Sequence, residues 1–291
     1  MKYEGLVIRP PSEAQSLILQ ITLGCSHNRC TFCPTYKGTR FRIRGMEEVL
    51  AIVEEARQWA RHTRRIFLCD GDALVIPHRR LVPILDLLNE RFPYLERIGI
   101  YANARGILNK SVQELEELRE RKLGIVYLGV ESGDNEVLGR VRKGADRQEL
   151  LMAGQRVKEA GITLSVTVLL GLGGVEGSHR HAVETATLLN QMDPQFVGAL
   201  TLMVVPGTPL YQEAAEGTFR LPDTFQLIQE LGLMISNSEL TRCYFTSNHA
   251  SNYLPLRVRL PEQKQEALRL IHGVLARGDR SLLRPEFLRA L

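Results

Sequence analysis

Three of the five cysteines of this 291-residue chain fall within nine residues, in the run Gly24-Cys25-Ser26-His27-Asn28-Arg29-Cys30-Thr31-Phe32-Cys33. Thiolates are soft ligands that suit iron–sulfur clusters or zinc. Three thiolates on one short loop can each take one iron of a cube. The missing fourth leaves one iron open to a reacting molecule, whereas a structural site is ordinarily closed by its protein ligands. The alternative is a zinc ion completed by His27 or by the distant Cys69 or Cys243. His27 lies two residues from Cys25, which is cramped for joint tetrahedral ligation. Cys69 and Cys243 stand in apolar strand contexts that favour packing in a core. A secreted disulfide framework would spread its cysteines out, so the tight group points to a reducing compartment.

Such a loop must be carried by something, and the rest of the chain supplies it. Short β-branched or Leu-rich runs alternate with longer amphipathic ones. The pattern predicts strands over 17–23, 66–69, 98–102, 125–130, 163–170 and 196–204, and helices over 46–62, 80–91, 111–122, 147–160, 179–191 and 208–215. Ser111 with Glu114 three residues on reads as a capping box, and Gly161 as a helix stop. The result is six strand–helix units, an α/β chain with a parallel sheet and helical crossovers, either doubly wound or a barrel. In both cases chemistry belongs at the C-terminal ends of the strands. The cysteine loop follows the first strand and so sits at that mouth. The last 70 or so residues (a helix over 221–234, a strand over 243–246, a helix over 261–277) read as an extension packed on the same core. The expected division is 1–220 as core and 221–291 as extension.

Composition narrows the class. Apolar residues make up 44% and charged residues 24%, an ordinary globular balance that excludes global disorder. A net charge of +4, from 37 basic and 33 acidic residues, is too small to argue for nucleic acid. The longest apolar stretch, Ile162 to Gly174, is too short for a bilayer, and Met1 to Gln15 shows no signal-peptide pattern. The expectation is a soluble, cytoplasmic protein.

The cysteine loop resembles that of the radical S-adenosylmethionine (radical SAM) superfamily. The usual spacing there is Cys-x3-Cys-x2-Cys; here it is Cys-x4-Cys-x2-Cys. Phe32 matches the aromatic that the family prefers before its last cysteine. Further segments match in order. Asp70-Gly71-Asp72 stands where the family has a Gly-Gly-Glu-like contact to the SAM amino group. Glu131-Ser132 stands at the ribose-contacting position, followed by Arg140, Arg142 and Lys143 as candidates for the SAM carboxylate. Leu170-Gly171-Leu172-Gly173-Gly174 is similar to the glycine-rich adenine-side segment, and Val205-Pro206-Gly207 to a common turn after strand six. The segment from Gly171 is not a dinucleotide fingerprint, because Glu176 replaces the third glycine.

The resemblance covers roughly residues 17–215. It implies a partial (β/α)6 TIM-like barrel, nearest the branch of oxygen-independent coproporphyrinogen oxidase and the methylthiotransferases. It implies a [4Fe-4S] cluster held by Cys25, Cys30 and Cys33, and SAM contacted by Phe32, Asp70, Gly71, Asp72, Glu131, Ser132, Arg142, Gly171 and Val205. It also implies a reductant such as flavodoxin or ferredoxin, and an enzyme whose substrate the sequence does not name. Two other readings stay open. One is a non-catalytic cluster or haem carrier on the same scaffold, for which His249 is the candidate ligand. The other is a tRNA-modifying enzyme using the basic stretch Lys37 to Arg44. The stretch Ser247 to Tyr253, rich in hydrogen-bonding groups, is a candidate lining with His249 or Tyr253 near substrate.

Overall fold

A computed structural model describes residues 3–290; Met1, Lys2 and Leu291 lie outside the described residues. Two compact units make up the chain. The first comprises the segments up to Asn28, Thr35–Leu128 and Met152–Leu164; the second comprises Arg29–Pro34, Gly129–Leu151 and the chain from Ser165 on.

In chain order the elements are β1 (Leu17–Gln20), β2 (Thr22–Leu23), β3 (Arg42–Ile43), α1 (Met46–Ala60), β4 (Arg65–Cys69), α2 (His78–Arg91), β5 (Arg97–Ala102), α3 (Ala104–Leu108), α4 (Val112–Glu120) and β6 (Leu123–Glu131). Then come α5 (Asn135–Arg140), α6 (Arg147–Glu159), β7 (Thr163–Leu170), α7 (Gly174–Met192), β8 (Phe196–Thr201), α8 (Pro209–Ala215), α9 (Thr224–Ser236), β9 (Cys243–Thr246), β10 (Arg257–Leu260) and α10 (Lys264–Arg277).

In the first unit β1, β4, β5 and β6 pair in that order and in parallel. Ile66, Phe67, Leu68 and Cys69 of β4 are all fully buried, the near-continuous apolar run of a strand covered on both faces. The capping box forms as the sequence predicts: Ser111 Oγ accepts from Glu114 N at 3.1 Å while Glu114 Oε2 accepts from Ser111 N at 2.8 Å. In the second unit β7, β8 and β9 are parallel and β10 closes the order antiparallel to β9. β7 alternates strictly, with Leu164, Val166, Val168 and Leu170 buried and Thr163, Ser165, Thr167 and Leu169 half-buried.

Several elements depart from the sequence expectation for physical reasons. The first strand breaks at Ile21. Its end, β2, leaves to pair antiparallel with β3, a strand that two residues of a basic loop do not announce. α7 starts at Gly174, ahead of the expected His179. Gly173 and Gly177 dilute the helical pattern, yet a Cβ on Gly173 would lie 2.9 Å from both Gly177 O and His181 Cβ, so only glycine fits. β8 ends at Thr201; Leu202 continues the apolar run because it packs with Val137, Val141, Leu172, Leu210 and Phe219. β10 hides behind its charges: Arg257 and Arg259 point to solvent while Val258 and Leu260 are buried.

The turn after β6 is seated on α7. Gly133 N donates to Thr185 Oγ1 at 2.9 Å, and a Cβ on Gly133 would stand 2.3 Å from Glu184 O, a backbone atom that cannot yield. Gly133→Ala is therefore expected to destabilise the protein by about 3 kcal/mol or to abolish soluble folding. Gly139→Ala, in α5 with nothing within 4 Å of the new methyl, is expected to be neutral or to stabilise by about 0.5 kcal/mol. Chemical denaturation of the two variants against the parent reads both.

Candidate functional site

The loop between β2 and β3 carries the first part of the site. It opens at Gly24, whose φ of +74° and 3.2 Å clearance to Thr39 Cγ2 exclude a side chain. Cys25, Cys30 and Cys33 are all reduced and half-buried. Cys69 and Cys243 are fully buried, and burial pushes both thiols up, Cys243 to about 12. They pack in the core, as their strand contexts imply. Among the described residues, no three His, Cys, Asp or Glu side chains are gathered as ligands of one ion. Thiolates that each take a different iron of a cluster need no common point. The donor set, three accessible soft thiolates on one loop and two inert thiols elsewhere, fits an iron–sulfur cluster.

Asp70 to Asp72, directly after β4, hold this loop. Asp70 Oδ2 accepts from Gln20 Nε2 and from Gly24 N, each at 3.0 Å, and Asp70 N donates to Thr22 Oγ1 at 2.8 Å. Asp70 Oδ1 is buried and has no hydrogen-bond partner among the described residues. Burial raises the Asp70 carboxyl above its ordinary range, opposed by those two hydrogen bonds, by the neighbouring Cys69 thiol and by the Arg44 charge. A buried carboxylate oxygen without a donor is costly, so this atom is poised to meet one. Gly71 is the floor under the loop: a Cβ there would lie 2.5 Å from Tyr36 Cε2 and 3.2 Å from Cys25 Cβ. Asp72, fully buried, is instead satisfied internally, by Ser26 Oγ, by Asn103 N at 3.1 Å and by Asn103 Nδ2 at 2.7 Å.

The second unit brings together the other predicted residues. Thr31 N donates to Val141 O at 3.0 Å and Thr31 O accepts from Leu210 N at 3.1 Å, so Phe32 leans on the core of Val137, Val141, Leu172 and Leu210. Glu131 ends β6 with φ +65°, and its Oε1 is 3.0 Å from Lys143 Nζ, both side chains largely buried. A Cβ on Gly129 would collide with Glu131 Oε1 at 2.5 Å. Ser132 Oγ is tied to His181 Nδ1 at 2.8 Å and accepts from Asp134 N at 3.0 Å. Gly171, at φ +85°, donates its N–H to Glu230 Oε1 at 2.6 Å. Glu230 also accepts from Ser178 Oγ and lies 3.6 Å from His181 Nε2; burial raises its carboxyl and the imidazole opposes the shift. Arg142 takes the left-handed conformation that ends α5, at φ +53°. Arg140 lies on the surface with Glu213 at 3.2 Å, over the Phe219 ring. Val205 O accepts at 2.7 Å from Oγ1 of Thr208, the N-cap of α8.

Several side chains of the two polar stretches singled out in the sequence are engaged within the fold. In the basic stretch, Arg42 chelates Glu48 at 2.8 and 2.9 Å and, with the Gly45 N–H, holds that carboxyl down to about 2. Arg44 is buried and binds Gln20 O at 2.8 Å and Glu4 at 2.8 Å. The polar stretch caps β8: Thr201 N donates to Ser251 Oγ at 3.1 Å, Thr201 Oγ1 to Asn252 Oδ1 at 2.8 Å and Asn252 Nδ2 to Ala199 O at 2.9 Å. Arg284 clamps His249 O at 2.6 Å, and Arg289 stacks on Tyr253 at 4.1 Å. Gln20, Asn103, His181 and Glu230 are the residues that sequence reading missed. Glu230, a lone acid in the apolar run Leu227–Ile235, carried a usable signal, since a buried charge needs partners.

A family model described as the Radical SAM superfamily matches residues 19–186. An uncharacterized protein of Methanocaldococcus jannaschii is 26% identical over 223 residues, 72% of this chain and 67% of its own length. The heme chaperone HemW of Bacillus subtilis is 21% identical over 178 residues, 60% of this chain and 46% of its own. The crystal structure of coproporphyrinogen III oxidase (HemN) from Escherichia coli superposes with a TM-score of 0.56 at 17% identity, over 76% of this chain and 51% of that one. The chain thus spans about two thirds of the first relative and about half of the other two. No helix among the described residues is long and apolar enough to cross a membrane.

Gly71→Ala is expected to displace Tyr36 and Cys25, costing about 2 kcal/mol. The displacement is checked by faster alkylation of Cys25 in the metal-free protein, read by mass spectrometry at unchanged Cys243 labelling.

Proposed function

This chain belongs to the radical SAM superfamily, whose enzymes use a [4Fe-4S] cluster and S-adenosylmethionine, and from that premise we propose that it cleaves SAM reductively and draws hydrogen from an organic substrate. The observation that carries the proposal is the set of three half-buried, reduced cysteines on one loop inside the matched segment. Cys25, Cys30 and Cys33 would hold the cluster. When bound, that group would supply the one-electron chemistry that reductive cleavage of SAM requires.

The chain's own residues bind and orient. Asp70 Oδ1, buried and lacking a donor, receives the SAM ammonium. Glu131, aligned by Lys143, accepts a ribose hydroxyl. Phe32, Ser132, Gly171 and Val205 offer backbone close to the nucleoside, Gly171 because its left-handed turn leaves no side chain in the way. Arg142, in its left-handed turn at the end of α5, is the candidate for the SAM carboxylate. A reductant such as a flavodoxin or ferredoxin is required. The RNA-modifying reading loses support because Arg42 and Arg44 are committed to Glu48, Gln20 and Glu4. The carrier reading has a namesake in the chaperone relative. Its candidate ligand, His249, has Nδ1 engaged by Ser251 N at 3.1 Å.

Anaerobic reconstitution with iron and sulfide, reduction by dithionite and addition of SAM test the proposal. 5′-Deoxyadenosine is expected from the parent and not from the Cys25→Ala, Cys30→Ala, Cys33→Ala triple variant. A cluster that binds SAM without cleaving it, with or without candidate substrates, would favour the carrier; stoichiometric zinc without iron would defeat both. Asp70→Asn is expected to weaken SAM binding by about 10- to 100-fold, the worth of one charge-assisted hydrogen bond. The sign of the pH effect follows from burial. Because the Asp70 carboxyl is raised, its charge appears only as pH climbs through that raised value, so parental affinity rises with pH there. The variant loses the slope, and equilibrium dialysis of SAM across that interval measures both.

A further inference from the structure

The interval between Cys25 and Cys30 is one residue longer than the superfamily's usual spacing, and the loop shows how the extra residue is taken up. Asn28 sits at φ +45°, in the left-handed region that asparagine tolerates better than other residues with side chains. Its Nδ2 donates to Tyr36 O at 2.7 Å, and its carbonyl accepts from Lys37 Nζ at 3.1 Å. The chain therefore reverses locally at Asn28 and is tied down on both sides of the reversal. Two residues upstream, Ser26 is anchored separately. Ser26 Oγ donates to Asp72 Oδ2, and Asn103 Nδ2 reaches both, at 3.2 Å to Ser26 Oγ and 2.7 Å to Asp72 Oδ2.

Asn103 is itself immobilised as the cap of α3, its Oδ1 accepting from Gly106 N at 2.7 Å. Gly106 leaves room for nothing else, since a Cβ there would lie 3.1 Å from Asp72 Oδ1. The fully buried Asp72 charge is balanced by Lys110, whose ammonium is buried nearby on Leu74 O at 2.6 Å and Ile76 O at 2.9 Å. The Asp72 carboxylate is thus tied to the cysteine loop through Ser26 and to α3, the element that braces it, through Asn103.

Resting on the proposed cluster reading, we infer that Asp72 is a positioning residue for Cys25, acting through Ser26 with Asn103 as its brace, and that Asn28 absorbs the additional residue of the loop. Asp72 on this account does not contact SAM. Partners hydrogen-bonded to a ligand itself typically change metal affinity about 10- to 100-fold when removed, and a residue acting through the ligand's neighbour Ser26 falls at the lower end of that range.

The test reads cluster retention, not turnover. Parent, Ser26→Ala, Ser26→Thr, Asp72→Asn, Asn28→Gly and Asn28→Val are reconstituted with iron and sulfide. Iron per chain, loss of iron to a chelator and the electron paramagnetic resonance of the reduced cluster are then measured, with thermal unfolding of the metal-free proteins as the fold control. Ser26→Ala and Asp72→Asn are expected to lose iron at least about tenfold faster with an altered resonance. Ser26→Thr, which keeps the hydroxyl, is expected to restore the parental values. Asn28→Gly is expected to hold its cluster and Asn28→Val to lose it, since a β-branched residue is strained at positive φ. If Asp72→Asn does not fold, Ser26→Ala decides alone. Parental retention and resonance in both Ser26→Ala and Asn28→Val would overturn the inference while leaving the cluster intact. A parent that takes up no iron–sulfur cluster would overturn the inference and the cluster reading together.

Discussion

Two carboxylates buried two residues apart at the end of β4 are the constraint on which the first unit depends. Burying Asp70 and Asp72 is unfavourable unless donors surround them, and meeting that demand organises three separate pieces of chain. Thr22 and Gly24 must come to Asp70, which bends the chain out of β1 and into β2. Gln20 must turn inward at the end of an otherwise apolar strand. Ser26 and Asn103 must meet at Asp72, which fixes the start of the cysteine loop and the first turn of α3. The dense packing at Gly71 and Gly106 is a consequence, because neither a cysteine loop nor a helix can approach this turn if a methyl group intervenes.

The second unit solves a similar problem with one carboxylate. Glu230 projects from an apolar helix into a fully buried position, and its oxygens take the Gly171 N–H and the Ser178 hydroxyl. His181 stands beside it, donates from Nε2 to Leu169 O, 3.0 Å away, and holds Ser132 through its other nitrogen. The ends of β6 and β7 are therefore linked through one imidazole and one carboxylate. Residues at those two strand ends are the ones that the proposed reading places against the nucleoside. Their backbone geometry is set by side chains that never need to touch it.

Much of this was legible in the sequence. The alternation of strands and helices gave the α/β class because parallel strands are buried on both faces and their helices on one, and both leave periodic marks. The cysteines were legible because their spacing is short-range chemistry. The roles of Asp70 and Asp72 were legible only as a polar turn: what separates an orphaned oxygen from a satisfied one is the position of Gln20 and Asn103, which lie about 50 and 30 residues away in the chain. The partners of the basic stretch are hidden for the same reason. Arg42 and Arg44 look free along the chain, yet β3 pairs with β2 and sets them beside Glu4, Gln20 and the acidic first turn of α1. Single-residue polarity is visible in a sequence; the partner that cancels it is set by topology.

The non-glycine residues at positive φ sharpen the distinction between scaffold and site. Lys122, Arg142 and Asp193 each follow a helix, where a left-handed residue ordinarily ends the hydrogen-bond ladder. Asn28 and Glu131 follow no helix. Asn28 is compensated by its own amide, held on Tyr36 O. Glu131 has no such local relief, and a long side chain in this region persists only where its surroundings over-determine it. Lys143 grips one carboxylate oxygen and Gly129 removes the only Cβ that would obstruct the pair. That arrangement has no bearing on whether the strand forms, since β6 is already complete. It bears on where one carboxylate points at the end of a strand, the place where this fold class puts its chemistry. On the proposed reading, the left-handed backbone at Glu131 aims that carboxylate at the nucleoside.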